Sequence, residues 1–192
     1  MRRSLSLLPL LLLAACSDKA AEQAQQVQNG REAVRLFAAA CVNTRGDAAA
    51  VKAWAQQQGW QPLDAAAQAK LPAGMMELDA SAVWQAAEAV FYLSLSPNAC
   101  SLKAAQADET SVRTQFTALA EAGAAGMTVR LRADHFSPSP FPFSQLVYGW
   151  QPDGAAEEWL LRANTSPSKY VPAQAALNFS REALPLRPAI NP

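Results

Sequence analysis

The chain has 192 residues, sixteen basic and sixteen acidic side chains, and three cysteines. This charge balance provides no basic field that could hold nucleic acid, and we expect no nucleic-acid partner. Because 51% of the residues are hydrophobic, the composition is that of a domain that buries a core rather than of a disordered chain.

The N-terminus carries the pattern of a secretory leader. Arg2 and Arg3 precede an apolar run over residues 5–15, which is the order typical of a signal peptide. The run is shorter than the roughly 20 residues that a membrane-spanning helix needs. We therefore predict that residues 1–15 are a signal peptide, and that their removal leaves two more acidic than basic residues.

The end of this leader resembles the lipobox of bacterial lipoproteins at each of its four positions, Leu13-Ala14-Ala15-Cys16. The resemblance implies cleavage before Cys16, a diacylglyceryl group on its sulfur, and a membrane as partner through this lipid. In lipoproteins an Asp directly after the cysteine is the usual inner-membrane retention signal. Ser17 stands there, which favours the periplasmic face of the outer membrane. The alternative is an ordinary cleaved leader followed by an incidental cysteine.

The segment after Cys16 is polar and small and has no apolar stripe. We therefore predict a flexible tether over residues 16–30 and a single domain over residues 31–184. Val34, Phe37 and Cys41 recur at helical spacing, so Cys41 should face the core from a first helix.

A second helix is predicted to begin after Asp47, which suits an N-cap, and to carry Trp54 on its apolar stripe. Gly59 suits the left-handed position that follows a helix, and Trp60 would then fold back onto Trp54. A short third helix is predicted over residues 64–70.

The hydrophobic period then changes from 3.6 to 2. Residues 83–95 alternate as a strand, a turn follows at residues 96–98, and a returning strand starts at Cys100. Asp108 should cap an amphipathic helix that ends between Gly123 and Gly126. Four further strands are predicted at residues 127–136, 145–151, 158–163 and 175–180, followed by a proline-rich tail at 185–192.

Helices precede antiparallel strands in this order, which predicts an α+β fold with the N-terminal helices packed on one face of an antiparallel sheet. If Cys16 carries lipid, Cys41 and Cys100 remain as a pair in an oxidising compartment, where a disulfide persists. We therefore predict one disulfide that staples the first helix to the sheet. The alternative is a pair of buried free thiols.

Two stretches around these cysteines, FAAACVNTRGDAAAVKAWAQQQGW and FYLSLSPNACSL, resemble a family of uncharacterised small envelope proteins and lipoproteins of proteobacteria. The resemblance covers residues 37–102 and the strand YVPAQAALNFS. It implies a fold and a location in the envelope, and it implies no activity.

A catalytic centre has little support in the sequence. His135 is the only histidine, and with Asp134 and Ser137 it could suggest a hydrolase triad. Neighbouring side chains on a strand point to opposite faces, however, and the GxSxG nucleophile motif is absent. We therefore expect no catalytic residues. No CxxC, HExxH or Cys/His cluster occurs either, so we expect no metal and no cofactor.

Two charged pairs have a structural and a functional interpretation. Glu157 and Glu158 could act on glycans, but charge beside a hairpin is ordinary, and a solvated turn is the simpler interpretation. Arg130 and Arg132 share one face of a strand, which most simply places them on the solvent-exposed side of the sheet. The alternative is that they contact an anionic ligand.

Aromatic residues give a candidate partner-binding site. Phe136, Phe141 and Phe143 lie in a proline-rich stretch that should be a surface loop, where they could dock an envelope partner or plug the sheet edge. Trp150 with Tyr148 and Trp159 could form a platform for a sugar or peptide, although aromatic residues at strand spacing more often fill the core.

The leading hypothesis is a lipid-anchored, non-enzymatic envelope protein that binds or scaffolds another envelope component, such as an envelope protein or peptidoglycan. A second hypothesis is an inhibitor or immunity-type lipoprotein that blocks a periplasmic toxin or lytic enzyme. A hydrolase that uses His135 is the third.

Overall fold

The computed structural model describes residues 10–86 and 88–183, with side chains from residue 18 onward. This part of the chain contains four α-helices, one π-helical turn and eight strands. The helices are α1 (Leu10–Phe37), α2 (Ala48–Gln57), α3 (Ala65–Gln68) and α4 (Glu109–Ala122), and the π-helical turn Ala38–Val42 continues α1. The strands are β1 (Gln61–Pro62), β2 (Ala82–Gln85), β3 (Phe91–Ser96), β4 (Ala99–Ala104), β5 (Met127–Ser137), β6 (Phe143–Pro152), β7 (Glu157–Thr165) and β8 (Ala175–Ala183).

The eight strands of this part join one antiparallel sheet in the order β1-β2-β3-β4-β8-β7-β6-β5. Helix α4 separates β1–β4 from β5–β8 along the chain, and β8 returns to pair with β4 from Ala99↔Ser180 to Ala104↔Ala175. The predicted α+β fold, with N-terminal helices on one face of an antiparallel sheet, is confirmed.

The core lies between this face of the sheet and the helices α1 and α4. Leu102 and Leu177 are partners on β4 and β8, and Leu161 follows on β7; all three are fully buried. Above them the rings of Phe37 on α1 and Phe116 on α4 lie 6.2 Å apart. The inward-facing side chains of the strands, which alternate with a period of two, and the apolar stripes of the helices thus form one apolar layer.

A disulfide joins Cys41, in the π-helical turn, to Cys100, the second residue of β4. Their α-carbons are 5.4 Å apart, and both side chains are fully buried. The predicted bridge is confirmed. It closes a loop across a sequence separation of 59 residues, for which chain entropy gives a stabilisation of about 4 kcal/mol.

The ends of α2 follow the predicted capping chemistry. The carboxylate of Asp47 accepts a hydrogen bond from the backbone N–H of Ala50, and Gly59 has a φ of +69°. The N–H of Trp60 donates to the carbonyl of Ala55, and its ring packs 5.6 Å from that of Trp54. These contacts form the expected Schellman motif.

The single strand predicted over residues 83–95 is wrong, because the structure forms two strands there. β2 and β3 pair as a hairpin, with Val83 opposite Ser94. The chain reverses near Ala89, which has a φ of +54°. Gly or Asn at this position would predict a turn, but an alanine does not, although it adopts a positive φ here.

The flexible tether predicted over residues 16–30 is also wrong, because α1 runs without a break from Leu10 to Phe37. Alanine, glutamine and glutamate dominate this segment, and each has a high intrinsic helix propensity. The side chains of residues 18–25 are exposed, whereas Asn29 and Gly30 are buried. The helix is therefore packed firmly on the domain from Asn29 onward, and before that only its backbone at Gln26 and a few side chains approach the domain.

At Gly30 the helices α1 and α4 approach each other closely. A Cβ atom at this position would lie 2.0 Å from the Oγ of Ser111 and 2.9 Å from the carbonyl oxygen of Asp108. The backbone N–H of Asp108 also donates to the carbonyl of Gln26. Contacts between residues about 80 positions apart in the sequence therefore hold this part of α1, which has no apolar stripe of its own.

The predicted tail at residues 185–192 and residues 1–9 of the predicted leader lie outside the described residues.

We predict that Gly30→Ala lowers the free energy of unfolding by about 1–3 kcal/mol, because the new methyl group overpacks the contact with α4. This loss exceeds the gain of up to about 1 kcal/mol that alanine brings to an exposed helix position. Urea unfolding of the purified protein measures the difference. Gln28→Ala, on the exposed side of the same helix, should change stability by less than about 0.5 kcal/mol. A stabilised Gly30→Ala variant would contradict the close packing of α1 on α4.

Candidate functional site

Four exposed aromatic side chains lie at one end of the sheet. Phe136, Phe141 and Phe143 belong to the β5–β6 hairpin and are 59%, 44% and 36% exposed. Tyr170, in the segment between β7 and β8, is 74% exposed, and its ring lies 6.3 Å from that of Phe141. We call these four residues the aromatic end.

The register of the hairpin sets the directions of these rings. Phe136 pairs with Ser144, whose hydroxyl donates to Glu109 on the helix side, and Phe143 pairs with Ser137 on the opposite side. Two of the rings therefore flank the hairpin on both faces, and Phe141 lies in its turn. The three phenylalanines are exposed as predicted, but only Phe141 lies in the loop, because Phe136 belongs to β5 and Phe143 to β6. Their role as a docking site stays a prediction.

The loop between β7 and β8 supports the hairpin turn. The hydroxyl of Ser166 donates to the carbonyl of Pro142 at 2.6 Å. Between the two loops lies a cavity of about 270 Å³ lined mainly by Pro140, Phe141, Phe143 and Val171. Sequence reasoning missed Tyr170, because one tyrosine in a polar loop carries no periodic signal.

Helix α1 leaves the domain at the aromatic end. It runs parallel to α4, since Gln26 contacts the start of α4 and Phe37 contacts its middle. Further toward its N-terminus, Glu22 lines a cavity together with Lys169 and Val171, which belong to the loop of Tyr170. Cys16 lies six residues before Glu22 on α1, a distance of about 9 Å along the helix axis. Within residues 10–86 and 88–183, no helix is both long and apolar enough to span a membrane.

At the opposite end of the sheet, Arg45 and Arg181 line an open groove of about 430 Å³ beside the β3–β4 turn. The guanidinium carbons lie 5.4 Å and 5.8 Å from the ring centroid of Trp159, and Arg181 donates to the carbonyl of Arg45. No carboxylate among the described residues lies within 4.0 Å of either guanidinium. We call this feature the arginine groove.

The polar surroundings of the arginine groove suit a small anionic group. Asn98 and Ser96 offer further hydrogen-bonding groups at its edge. The one carboxylate on the lining, that of Asp47, caps α2 by accepting from Ala50. Sequence reasoning missed the groove, because Arg45 and Arg181 are separated by 136 residues and meet only through the fold.

The structure does not bring a hydrolase triad together. His135 pairs with Gln145 on the face of the sheet away from the helices, and Asp134 lies on the other face. The carboxylate of Asp134 forms an ion pair with Arg113 of α4, and the hydroxyl of Ser137 donates to the carbonyl of Ser139. Asp134 and Ser137 thus have partners other than the imidazole.

The prediction that Glu157 and Glu158 both belong to a solvated turn needs a correction at Glu158. Glu157 is exposed as expected, but Glu158 is 6% exposed, so its interpretation as part of a solvated turn is wrong. Its Oε1 accepts hydrogen bonds from the Nε and Nη2 of Arg132 at 2.9 Å and 2.6 Å. A Cβ atom on Gly149 would lie 1.9 Å from this oxygen, so only glycine leaves room for the carboxylate.

This ion pair decides between the two interpretations of the arginines. A shift in strand register at Arg132 turns its side chain across the sheet toward β7. Its guanidinium is therefore occupied by Glu158, and it is not free to hold an external anion. Arg130, exposed on the same strand, remains on the wet side of the sheet, as predicted.

The aromatic residues Tyr148, Trp150 and Trp159 fill the core, which was the simpler of their two interpretations. They are 5%, 3% and 7% exposed. The indole of Trp150 donates to the carbonyl of Ala120, and the hydroxyl of Tyr148 donates to Glu121. Burial, reinforced by the carboxylate of Glu121, raises the pKa of Tyr148, which keeps the phenol neutral as a donor. No exposed sugar platform exists at these three residues.

No family model matches the chain, and no curated protein matches it. The resemblance to small proteobacterial envelope proteins therefore stays a prediction, and the functional argument rests on the geometry above.

We predict that Arg132→Ala lowers the free energy of unfolding by about 1–3 kcal/mol, because it leaves the buried carboxylate of Glu158 without a partner. In a Glu158→Gln background the same substitution should cost clearly less, since no charge is left unpaired. Chemical denaturation of the four proteins of this double-mutant cycle gives the coupling energy. Arg130→Ala serves as the exposed control, and equal losses in both backgrounds would show that the pair does not form.

Proposed function

We propose that this chain is a non-enzymatic lipoprotein of the bacterial envelope, anchored through Cys16 on the periplasmic face of the outer membrane, whose folded domain binds another envelope component. The observation that carries the proposal is the buried disulfide between Cys41 and Cys100. Such bonds form and persist in oxidising compartments. The leader and the lipobox-like residues before Cys16 lead to the same location.

The length of α1 supports a defined position for the domain. A helix that continues from Cys16 into the core keeps the domain near its anchor, whereas a flexible coil would let it diffuse around the anchor. The helix then connects the anchor rigidly to the core, because the C-terminal end of α1 continues into the π-helical turn that holds Cys41 of the disulfide.

The arginine groove is the surface that we assign to the envelope component. Two guanidiniums without a carboxylate partner in the described part of the chain favour an anionic group, and guanidiniums bind carboxylates in a bidentate geometry. The groove lies at the end of the sheet away from the exit of α1, so it would face away from the membrane. Peptidoglycan, whose stem peptides carry free carboxylates, is the component that we propose.

We predict that Cys16→Ala abolishes labelling of the protein by radioactive palmitate and removes it from the outer-membrane fraction or leaves it unprocessed. The physical reason is the loss of the only sulfur that the lipobox-like residues present for acylation. Labelling and fractionation in a Gram-negative host test this. Ser17→Ala should be labelled like the natural protein, and normal labelling of Cys16→Ala would refute the anchor.

We predict that Arg45→Asn weakens cosedimentation with purified peptidoglycan about tenfold to a hundredfold, which is the effect expected for one charge-assisted hydrogen-bonded contact. Asparagine tolerates the φ of +55° at this position, so the backbone should be kept. Arg130→Asn removes the same charge from β5 and should bind like the natural protein. Equal binding by both variants, or no binding by the natural protein, would refute the assignment of the groove.

A further inference from the structure

We propose that the aromatic end is a lipid-contacting surface that rests on the bilayer in which Cys16 is anchored. The inference deepens the proposed function and rests on its anchor. It assigns Phe136, Phe141, Phe143 and Tyr170 to the membrane itself, and not to a protein partner.

The composition of the two loops suits the interface between a membrane and water. Residues 136–144 and 166–174 contain no acidic side chain, and their only basic one is Lys169. Tyrosine rings concentrate at the headgroup level of bilayers, and phenylalanine rings of membrane-surface proteins are buried at the boundary between headgroups and acyl chains. The ammonium of Lys169 lies 5.6 Å from the ring centroid of Tyr170, so a positive charge accompanies the exposed rings. Anionic headgroups attract such a charge.

The extent of exposure also calls for an explanation. Single exposed apolar residues are ordinary on protein surfaces, but clusters mark contact sites. Here three phenylalanines and a tyrosine share one end of the sheet, and an apolar cavity of about 270 Å³ opens between their loops. The hydrogen bond from Ser166 to Pro142 joins the two loops, so they can present one surface.

The path of α1 favours lipid as the occupant of the aromatic end. Glu22 of α1 and Lys169 beside Tyr170 line one cavity, so the helix passes beside the loop between β7 and β8. From Glu22 to Cys16 the helix advances only about 9 Å. Apolar side chains of membrane-surface proteins enter the bilayer by about 5–10 Å. An acyl chain on Cys16 would therefore hold the loop of Tyr170 within about 9 Å of the anchor along the helix axis, so the bilayer is the surface nearest to the exposed rings.

The two ends of the sheet then have separate roles. β6 has ten residues and runs from Phe143 at the aromatic end to the hairpin that precedes β7 at the other end, a length of about 33 Å. With the aromatic end on the bilayer, the arginine groove faces the periplasm.

Photocrosslinking in intact cells tests the lipid contact. The full chain is expressed in a Gram-negative host with p-benzoylphenylalanine in place of Phe141, whose exposed ring in a turn leaves room for the larger analogue. The matched control carries the same analogue in place of Ala156, which is exposed in the hairpin between β6 and β7. After irradiation, mass spectrometry of the purified protein identifies phospholipid adducts and protein adducts.

We expect phospholipid adducts at position 141 to exceed those at position 156 by at least about tenfold, which is the partitioning expected when one phenylalanine-sized group is buried. Adducts at position 141 that are mainly protein, or equal lipid adducts at both positions, would overturn the proposal. Palmitate labelling of the same cells separates the two claims. A labelled protein without lipid adducts at position 141 refutes the lipid contact alone, and an unlabelled protein refutes the anchor.

Discussion

The disulfide between Cys41 and Cys100 is the constraint on which the rest of the structure depends. It fixes the end of the first helical segment to the second residue of β4, a central strand of the sheet. Because β4 also pairs with β8, the bond connects α1 to both halves of the sheet. Helix α4 then lies beside α1, where Gly30 allows the two backbones to approach closely.

This arrangement gives the molecule a direction. One end of the sheet carries the exposed rings around Phe141 and the exit of α1, and the other end carries Arg45 and Arg181 in an open groove. The charged groups between them are largely neutralised within the sheet, as the pair of Arg132 and Glu158 illustrates. The exposed rings and the two arginines are thus separated by the length of the strands, as the proposed function of connecting a membrane to a second component requires.

The fold followed from the sequence wherever local chemistry determines it. Asp47 as an N-cap and Gly59 before Trp60 act within a few residues, and they form as predicted. The helix over residues 16–30 was not predicted, because its composition favours a helix without an apolar stripe and its contact with α4 at Gly30 is long-range. The exposed phenylalanines were predicted because prolines mark their loop. The arginine groove was not, because Arg45 and Arg181 meet only through the fold.

The central claim is that α1 is one continuous helix between Cys16, the proposed anchor, and the core, and amide hydrogen exchange of residues 18–30 tests it most directly. A helix predicts exchange slower than that of an unstructured peptide, with protection that increases from residue 18 toward Gly30 as fraying decreases. The purified protein in solution is sufficient for this measurement. Exchange of the whole segment at the rate of an unstructured peptide would show a flexible tether and would contradict the claim.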